Sequence, residues 1–388
     1  MKQNSVIYFD NAATTFPKPP CVHQEVKKCL TSYCGNPGRG SHSMSLAATN
    51  KIYECRTEIA DLFNSPALEN VVFTYNTTYA LNFVIKGLAR PGDHVLISDI
   101  EHNSVYRPVV RLNHDKIIDY SIFRTHPNDN NFSKDDLLSE ITSKIQRNTK
   151  LLVCNHSSNI CSKNLPIMEI GELCKRKGIL FVVDAAQSAG RLPIDMQKMN
   201  ISALCMPGHK ALYGIQGCGI ICLGNGITLD TLIEGGNGIN SKESSMPSFS
   251  PERYESGTLA TPCIAGLYEG IKAIRNIGLP NIEKYENELY LYLLDGMKNI
   301  SKIEVYAKDC IGSTLLFNVE NNSPDHVGSI LNKNKICVRS GFHCCALGHE
   351  ALGTFETGAV RVSFGIFNTK SEVRTLLDIL NKIAKERI

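Results

Sequence analysis

The sequence predicts an α/β protein: a large domain with a mostly parallel sheet between helices, then a smaller C-terminal α+β domain. Three observations carry this. Short apolar runs alternate with amphipathic ones as far as about residue 262, the rhythm of a sheet covered by helices. The run ILFVVD at 179–184 is apolar without alternation, as expected of a strand buried on both faces. Beyond 262 the rhythm changes to a long helical region, a strand and a terminal helix.

Taken in order, NVVFTY at 70–75 reads as a strand. TTYALNFVIKGL then repeats apolar residues at helical spacing through Leu81, Val84, Ile85 and Leu88. HVLIS at 94–98 is the next strand, and KLLVC at 150–154 follows a polar helical stretch. Ile167, Ile170, Leu173 and Cys174 form one helix face, which Gly178 is placed to end. ALCMP and GCGIICL add two strands, and 236–252, rich in Gly, Ser, Asn and Pro, is expected to be a flexible insert. A helical region from Ile264 to about Met297 breaks near Gly278 and Pro280, and STLLFNVE is a strand. The last helix opens on a T-x-x-E capping box, Thr369 and Glu372, and should bury Val373, Leu376, Leu377, Leu380 and Ile383. The expected divisions are an N-terminal segment at 1–20 packing near the small domain, a large domain at 21–262 and a small domain at 263–388.

Composition narrows the function. The chain has 388 residues, 43% apolar, with a net charge of +3 and no basic block, so nucleic acid is not an expected partner. No stretch approaches the ~18 consecutive apolar residues of a membrane span, and MKQNSVIYFDNAATT lacks a signal peptide's apolar run. A cytoplasmic protein is expected. None of the fifteen cysteines forms C-x-x-C, which disfavours a zinc ribbon, and no metal is expected.

Ligands of open parallel sheets bind beyond the carboxyl ends of the strands. Polar residues stand there: Asn76, Thr77 and Thr78; Glu101 and His102; Asn155 to Asn159; and Asp184 to Gln187. Asp184 ends an apolar strand, where a carboxylate needs a cation or strong donors, and a pyridinium nitrogen would serve. Lys210 sits among small and apolar residues, a setting that lowers a lysine's pKa and suits Schiff-base chemistry. Thr77 and Thr78, at a strand-to-helix junction, offer hydroxyls and N–H groups to a phosphate. A lysine, a strand-end aspartate and a phosphate cup together describe a pyridoxal-phosphate site.

Ten motifs in order extend this: YFDNAATT, GRGSH at 38–42, T-x-N-T-T at 74–78, EH at 101–102, SSN at 157–159, VVDAAQ at 182–187, GHK at 208–210, YESGT at 254–258, RSGFHC at 339–344 and VRVSFGIFNT at 360–369. With them the chain resembles the class V aminotransferase superfamily of fold-type I pyridoxal-phosphate enzymes, and within it the cysteine desulfurases and selenocysteine lyases. The resemblance implies that 21–262 binds the cofactor and that Lys210 holds it covalently and moves the α-proton. It implies that Asp184 pairs with the ring nitrogen, Gln187 bonds the phenolic oxygen and His102 stacks on the ring. Thr77, Thr78 and His209 would hold the phosphate. Thr258 would reach the phosphate of a neighbouring subunit, which implies a homodimer. Arg361 would clamp the substrate carboxylate, assisted by Asn159, with Arg339 nearby.

The resemblance also places the nucleophile at Cys344, where it would take sulfur from L-cysteine, or selenium from L-selenocysteine, and pass it to an acceptor protein or small reductant. His343 could help deprotonate it. Cys345 is either a second thiol or a small residue beside the nucleophile. Three other readings remain open: a selenocysteine lyase, a β-eliminating lyase giving pyruvate, and a sulfur-relay or redox-sensing protein that is not an enzyme. The chain departs from the pattern at Tyr79, Pro207 and Phe342. In SSNICSKNLP a usual Gly is lost, and Cys161, Ser162 and Lys163 are expected near the substrate edge. CCALGHEALGT is short, which argues against a long flexible arm at the cysteine.

Overall fold

The computed structural model describes residues 6–38 and 40–385. Arg39 of the GRGSH motif, residues 1–5 of the N-terminal segment and residues 386–388 lie outside them.

Strand β1 (Ile7–Tyr8) is followed by α1 (Pro20–Lys28) and α2 (Ser43–Phe63). The chain then runs β2 (Val71–Thr74), α3 (Thr77–Leu88), β3 (Asp93–Ser98), α4 (Asn103–His114), β4 (Ile118–Phe123), α5 (Lys134–Lys144), β5 (Thr149–Asn155), α6 (Ile167–Lys177), β6 (Leu180–Asp184), β7 (Ala203–Pro207) and β8 (Gly219–Leu223). These seven strands form one sheet in the order β2-β8-β7-β6-β5-β3-β4. β8 alone runs antiparallel to its neighbours β2 and β7; the other adjacent pairs are parallel. One apolar cluster fills each face of this sheet. Strand residues alternate between them: Phe181 and Val183 face one cluster, Val182 the other. Burying each such side chain is worth about 1.5–3 kcal/mol.

Local sequence explains the helix starts that matter for function. The Asn76 side chain accepts from Tyr79 N at 3.1 Å and caps α3. The cap sits hard against β8, because a Cβ on Gly219 would come within 2.3 Å of the Asn76 carbonyl carbon. Only glycine allows that approach, which fixes where Thr77 begins its helix. Gly178 ends α6 in the left-handed conformation at φ 65°.

Helices α7 (Thr261–Ile277) and α8 (Leu279–Lys298) lead into β9 (Ile303–Tyr306), β10 (Thr314–Val319), α9 (Pro324–Lys333), β11 (Ile336–Cys337), β12 (Arg339–Gly341), α10 (Ala346–Leu352), β13 (Ala359–Ser363) and α11 (Lys370–Lys385). The small sheet is antiparallel in the order β12-β13-β10-β9. The capping box of α11 forms, with Thr369 N donating to Glu372 and Glu372 N to Thr369 Oγ1. Val373, Leu376, Leu380 and Ile383 are buried in a third apolar cluster. Leu377 packs at its margin. β1 pairs in parallel with β11, so the start of the chain lies against its last third.

Candidate active site

A cavity lies beyond the carboxyl ends of β3, β5 and β6 and at the start of α3. Thr77, His102, Asn155, Ser157, Asn159, Asp184, Ala186, Gln187 and Lys210 line it. Six of the residues expected from sequence therefore share one wall: Thr77, His102, Asn159, Asp184, Gln187 and Lys210.

Asp184 ends β6 and is 4% exposed. Its Oδ1 accepts from Ala186 N at 2.9 Å. Burial pushes its carboxyl above the usual range, while the Ala186 N–H and the Lys210 ammonium pull the other way. Lys210 follows β7, and loss of water around its amine lowers it to about 8, against the pull of Asp184. Gln187 Nε2 donates to Ala12 O at 3.0 Å, which leaves its second amide hydrogen free.

The His102 ring is fixed by its own helix start. Its Nδ1 accepts from Ser104 N at 3.0 Å, so a neutral ring carries its proton on Nε2. Burial, then the charges of Lys210 and Arg361, push His102 down to about 4. Thr78 Oγ1 and Ser104 Oγ lie 2.8 Å apart. Thr77 Oγ1 is buried without a partner at the first residue of α3. A buried hydroxyl left open beside free helical N–H groups is a place for an anion. With the buried carboxylate and low-pKa amine, it gives pyridoxal phosphate the three contacts it needs, and the residues present fit that cofactor. His209 lies beside this wall, with Nδ1 3.0 Å from Thr14 Oγ1.

Arg361 on β13 reaches the site from the small antiparallel sheet and is 2% exposed. Its Nη1 donates to Asn159 O at 3.1 Å and its Nη2 to Asp10 Oδ1 at 2.7 Å, while Nε is buried without a partner. Arg339 Nη1 is 4.0 Å from the other Asp10 oxygen. Asn159 Nδ2 donates to His343 O at 3.0 Å and its Oδ1 is open.

The cysteine segment is a tight turn. Four residues separate β12 from α10, and His343 and Cys344 take left-handed backbones at φ 52° and 54°. Asn103 N donates to Cys344 O at 2.8 Å, which holds the turn beside His102. Cys344 is exposed. The two cysteines point apart: Cys345 is wholly buried and its Sγ donates to the carbonyls of Ile100 and Glu101. Burial pushes the Cys345 thiol far up, which suits a core residue and not a second sulfur carrier.

Two expectations are corrected. His343 is not free to take a proton from Cys344. Its Nε2 is 3.2 Å from Arg339 O and its Nδ1 is 3.0 Å from His349 Nε2, and burial lowers it to about 2. Cys161 and Ser162 turn away from the substrate side. Cys161 packs with Ile160 and Cys345 in a separate apolar cluster that also takes in Leu316 and Ala359, and Ser162 Oγ donates to Thr314 O while accepting from Thr314 N.

Thr258 is exposed and stands apart, in a groove with Gly38, His42, Asn237 and Gly257. Sequence reasoning passed over Asp10 and Ser104. Asp10 sits inside the quoted YFDNAATT motif, but its partner lies 351 residues away, and no local pattern predicts that contact. Among the described residues no group of three or more His, Cys, Asp or Glu side chains is placed to hold a metal, and no helix is long and apolar enough to cross a membrane.

Residues 7–376 match the family model for aminotransferase class-V. The chain is 32% identical to a probable cysteine desulfurase of Methanothermobacter thermautotrophicus, over 97% of this chain and 94% of that protein. It is 34% identical to a probable cysteine desulfurase of Pyrococcus abyssi, over 98% and 94%. The apo structure of a cysteine desulfurase from Thermococcus onnurineus superposes with a TM-score of 0.89 at 31% identity, covering 98% of this chain and 95% of that one.

Proposed function

The chain belongs to the class-V aminotransferase family, and on that premise we propose that it is a cysteine desulfurase in which Lys210 carries pyridoxal phosphate and Cys344 takes the sulfur. The desulfurase assignment rests on relatives of that description that match nearly end to end. One observation carries the division of labour. Lys210, Asp184, His102 and Thr77 line a single cavity, and the residue after His102 holds the backbone of Cys344.

Thr77 and Thr78, the first N–H groups of α3 and His209 bind the phosphate. Asp184 would hold a proton on the ring nitrogen, and Gln187 would donate to the phenolic oxygen. When bound, pyridoxal phosphate supplies an electron sink that acidifies the substrate α-carbon and weakens its Cβ–S bond. The Lys210 amine takes and returns the α-proton, a task its lowered pKa favours. Neutral His102, which lines the cavity, would lie against the ring and donate from Nε2. The unpartnered Arg361 Nε receives the substrate carboxylate, Arg339 adds charge, and Asn159 orients the guanidinium through its carbonyl.

Cys344 Sγ then bonds to the substrate sulfur as the Cβ–S bond breaks. The bonding pair stays with the carbon, which is protonated and leaves as alanine. The persulfide passes to an acceptor protein or a small thiol, and the tight turn around Cys344 favours an acceptor that comes to it. Thr258, away from this cavity, serves the phosphate of a second copy in a homodimer.

Incubation with L-cysteine and a thiol reductant tests this. Wild type should give equal alanine and sulfide, and Cys344→Ala almost no alanine. A Cys344→Ala protein that keeps full turnover and yields pyruvate would show a β-eliminating lyase instead.

A further inference from the structure

The turn from Ser98 to His102 holds a buried carboxyl that the mechanism above does not use. Glu101 is 0% exposed. Its Oε1 accepts from the Ser98 hydroxyl and from Asn155 N, the latter at 2.9 Å. Its Oε2 is buried with no hydrogen-bond partner, and so is the neighbouring Asn155 Oδ1. No cation compensates it among the described residues. The charged groups facing it are carboxylates, Asp184 from β6 and Asp99 from the end of β3, and the remaining titratable neighbours are the thiols of Cys154 on β5 and Cys345. The two carboxylates have other supports. Asp184 faces Lys210 and accepts from Ala186 N. Asp99 accepts from the N–H and hydroxyl of Thr125, with Arg124 and His126 nearby.

An ionised carboxylate here would be a buried anion beside two others, with one oxygen solvated by nothing. A proton on Oε2 removes the charge and supplies a donor where two buried acceptors lack one.

We propose that Glu101 is a neutral carboxylic acid at neutral pH and a positioning residue, whose carboxyl locks the turn that presents His102 and anchors Cys344. Through Oε1 it joins Ser98 to Asn155 across the ends of β3 and β5. Asn155 Nδ2 also donates to Ile100 O, and Cys345 Sγ donates to the carbonyls of Ile100 and Glu101. The turn is thus fastened from β5 on one side and from the cysteine segment on the other. Its next two residues are His102, against the cofactor cavity, and Asn103, whose N–H holds Cys344 O. The charge state of Glu101 therefore bears on the ring face and the nucleophile at once. It also leaves Asp184 as the anion on the cavity wall.

The proton on Glu101 is independent of the desulfurase reading; its effect on His102 and Cys344 rests on it. The test has two arms. Infrared difference spectra of the cofactor-free protein, at neutral pH and well above 8, should show a protonated carboxylic C=O band that disappears with a midpoint of about 8. Glu101→Gln should lack that band and its titration. In the cofactor-loaded enzyme, the alkaline fall of kcat/KM should move to higher pH in Glu101→Gln, because the amide keeps the shape of the acid and cannot ionise. Glu101→Ala loses the clip whatever its folding, so the Gln variant decides. Absence of the band in wild type, its persistence in Glu101→Gln, or an alkaline limb that does not move would each overturn the proposal. A protein with the band that makes no alanine from cysteine would overturn the desulfurase reading alone.

Discussion

Lys210 offers the most direct quantitative test of the site. An ordinary lysine titrates at 10.5, so at pH 7 about one in three thousand is neutral. At about 8 the neutral share rises to about one in eleven, a gain of roughly 300-fold. Burial is the main cause; Asp184 opposes it and Arg361 adds to it. Two substitutions should therefore move the amine in opposite directions. Asp184→Asn removes the anion and should lower the midpoint below about 8, and Arg361→Gln removes a cation and should raise it. The assay is competitive acetylation of the cofactor-free protein across pH, with the Lys210 peptide quantified by mass spectrometry. The midpoint is read rather than the rate, because access also controls the rate. A wild-type midpoint in the ordinary lysine range would refute the reasoning, as would an upward shift in Asp184→Asn.

Three other outcomes are expected. Cys345→Ala should cost about 1–2 kcal/mol of stability from the lost buried sulfur yet still yield alanine, with persulfide found on Cys344 by mass spectrometry; loss of alanine in a folded variant would restore Cys345 as a carrier. The Arg56–Glu255 pair is buried, with bidentate contacts at 3.0 and 2.9 Å, so Glu255→Gln should lose about 3–5 kcal/mol in denaturant unfolding. His102, His156 and His209 each fall from 6.5 to about 4 in the folded protein. The unfolded chain binds their protons first, so stability is fully present above about 6.5 and declines as pH falls toward 4. A His102→Asn variant should show a shallower acid decline in thermal unfolding than wild type.

The residues differ in how much of this they announce in the sequence. Helix α3 and strand β6 were legible because each is buried in a way that leaves a periodic or unbroken apolar signature. β4 was not, since it is an edge strand whose middle residues are only half-buried, and such a strand leaves no continuous run. α4 was missed for a related reason: Pro108 inside it looks like a stop signal. Lys210, Asp184 and Thr77 stood out because each breaks a local rule about where charge or hydroxyls belong. The direction of a loop side chain has no such mark. Ser162 and His343 face away from the chemistry because of Thr314, Arg339 and His349, and those partners lie more than a hundred residues on from Ser162 or on the far side of a tight turn.

The bond between Asp10 and Arg361 spans 351 residues, and β1 pairs with β11 across a similar stretch. On the ribosome, the first strand leaves the tunnel long before its partner exists. The cofactor wall, from Thr77 to Lys210, can assemble while Arg361 is still unmade. Asp184 and Lys210 are thus made before Cys344 and Arg361, so the wall of the cavity precedes in synthesis the groups that close it from the other side.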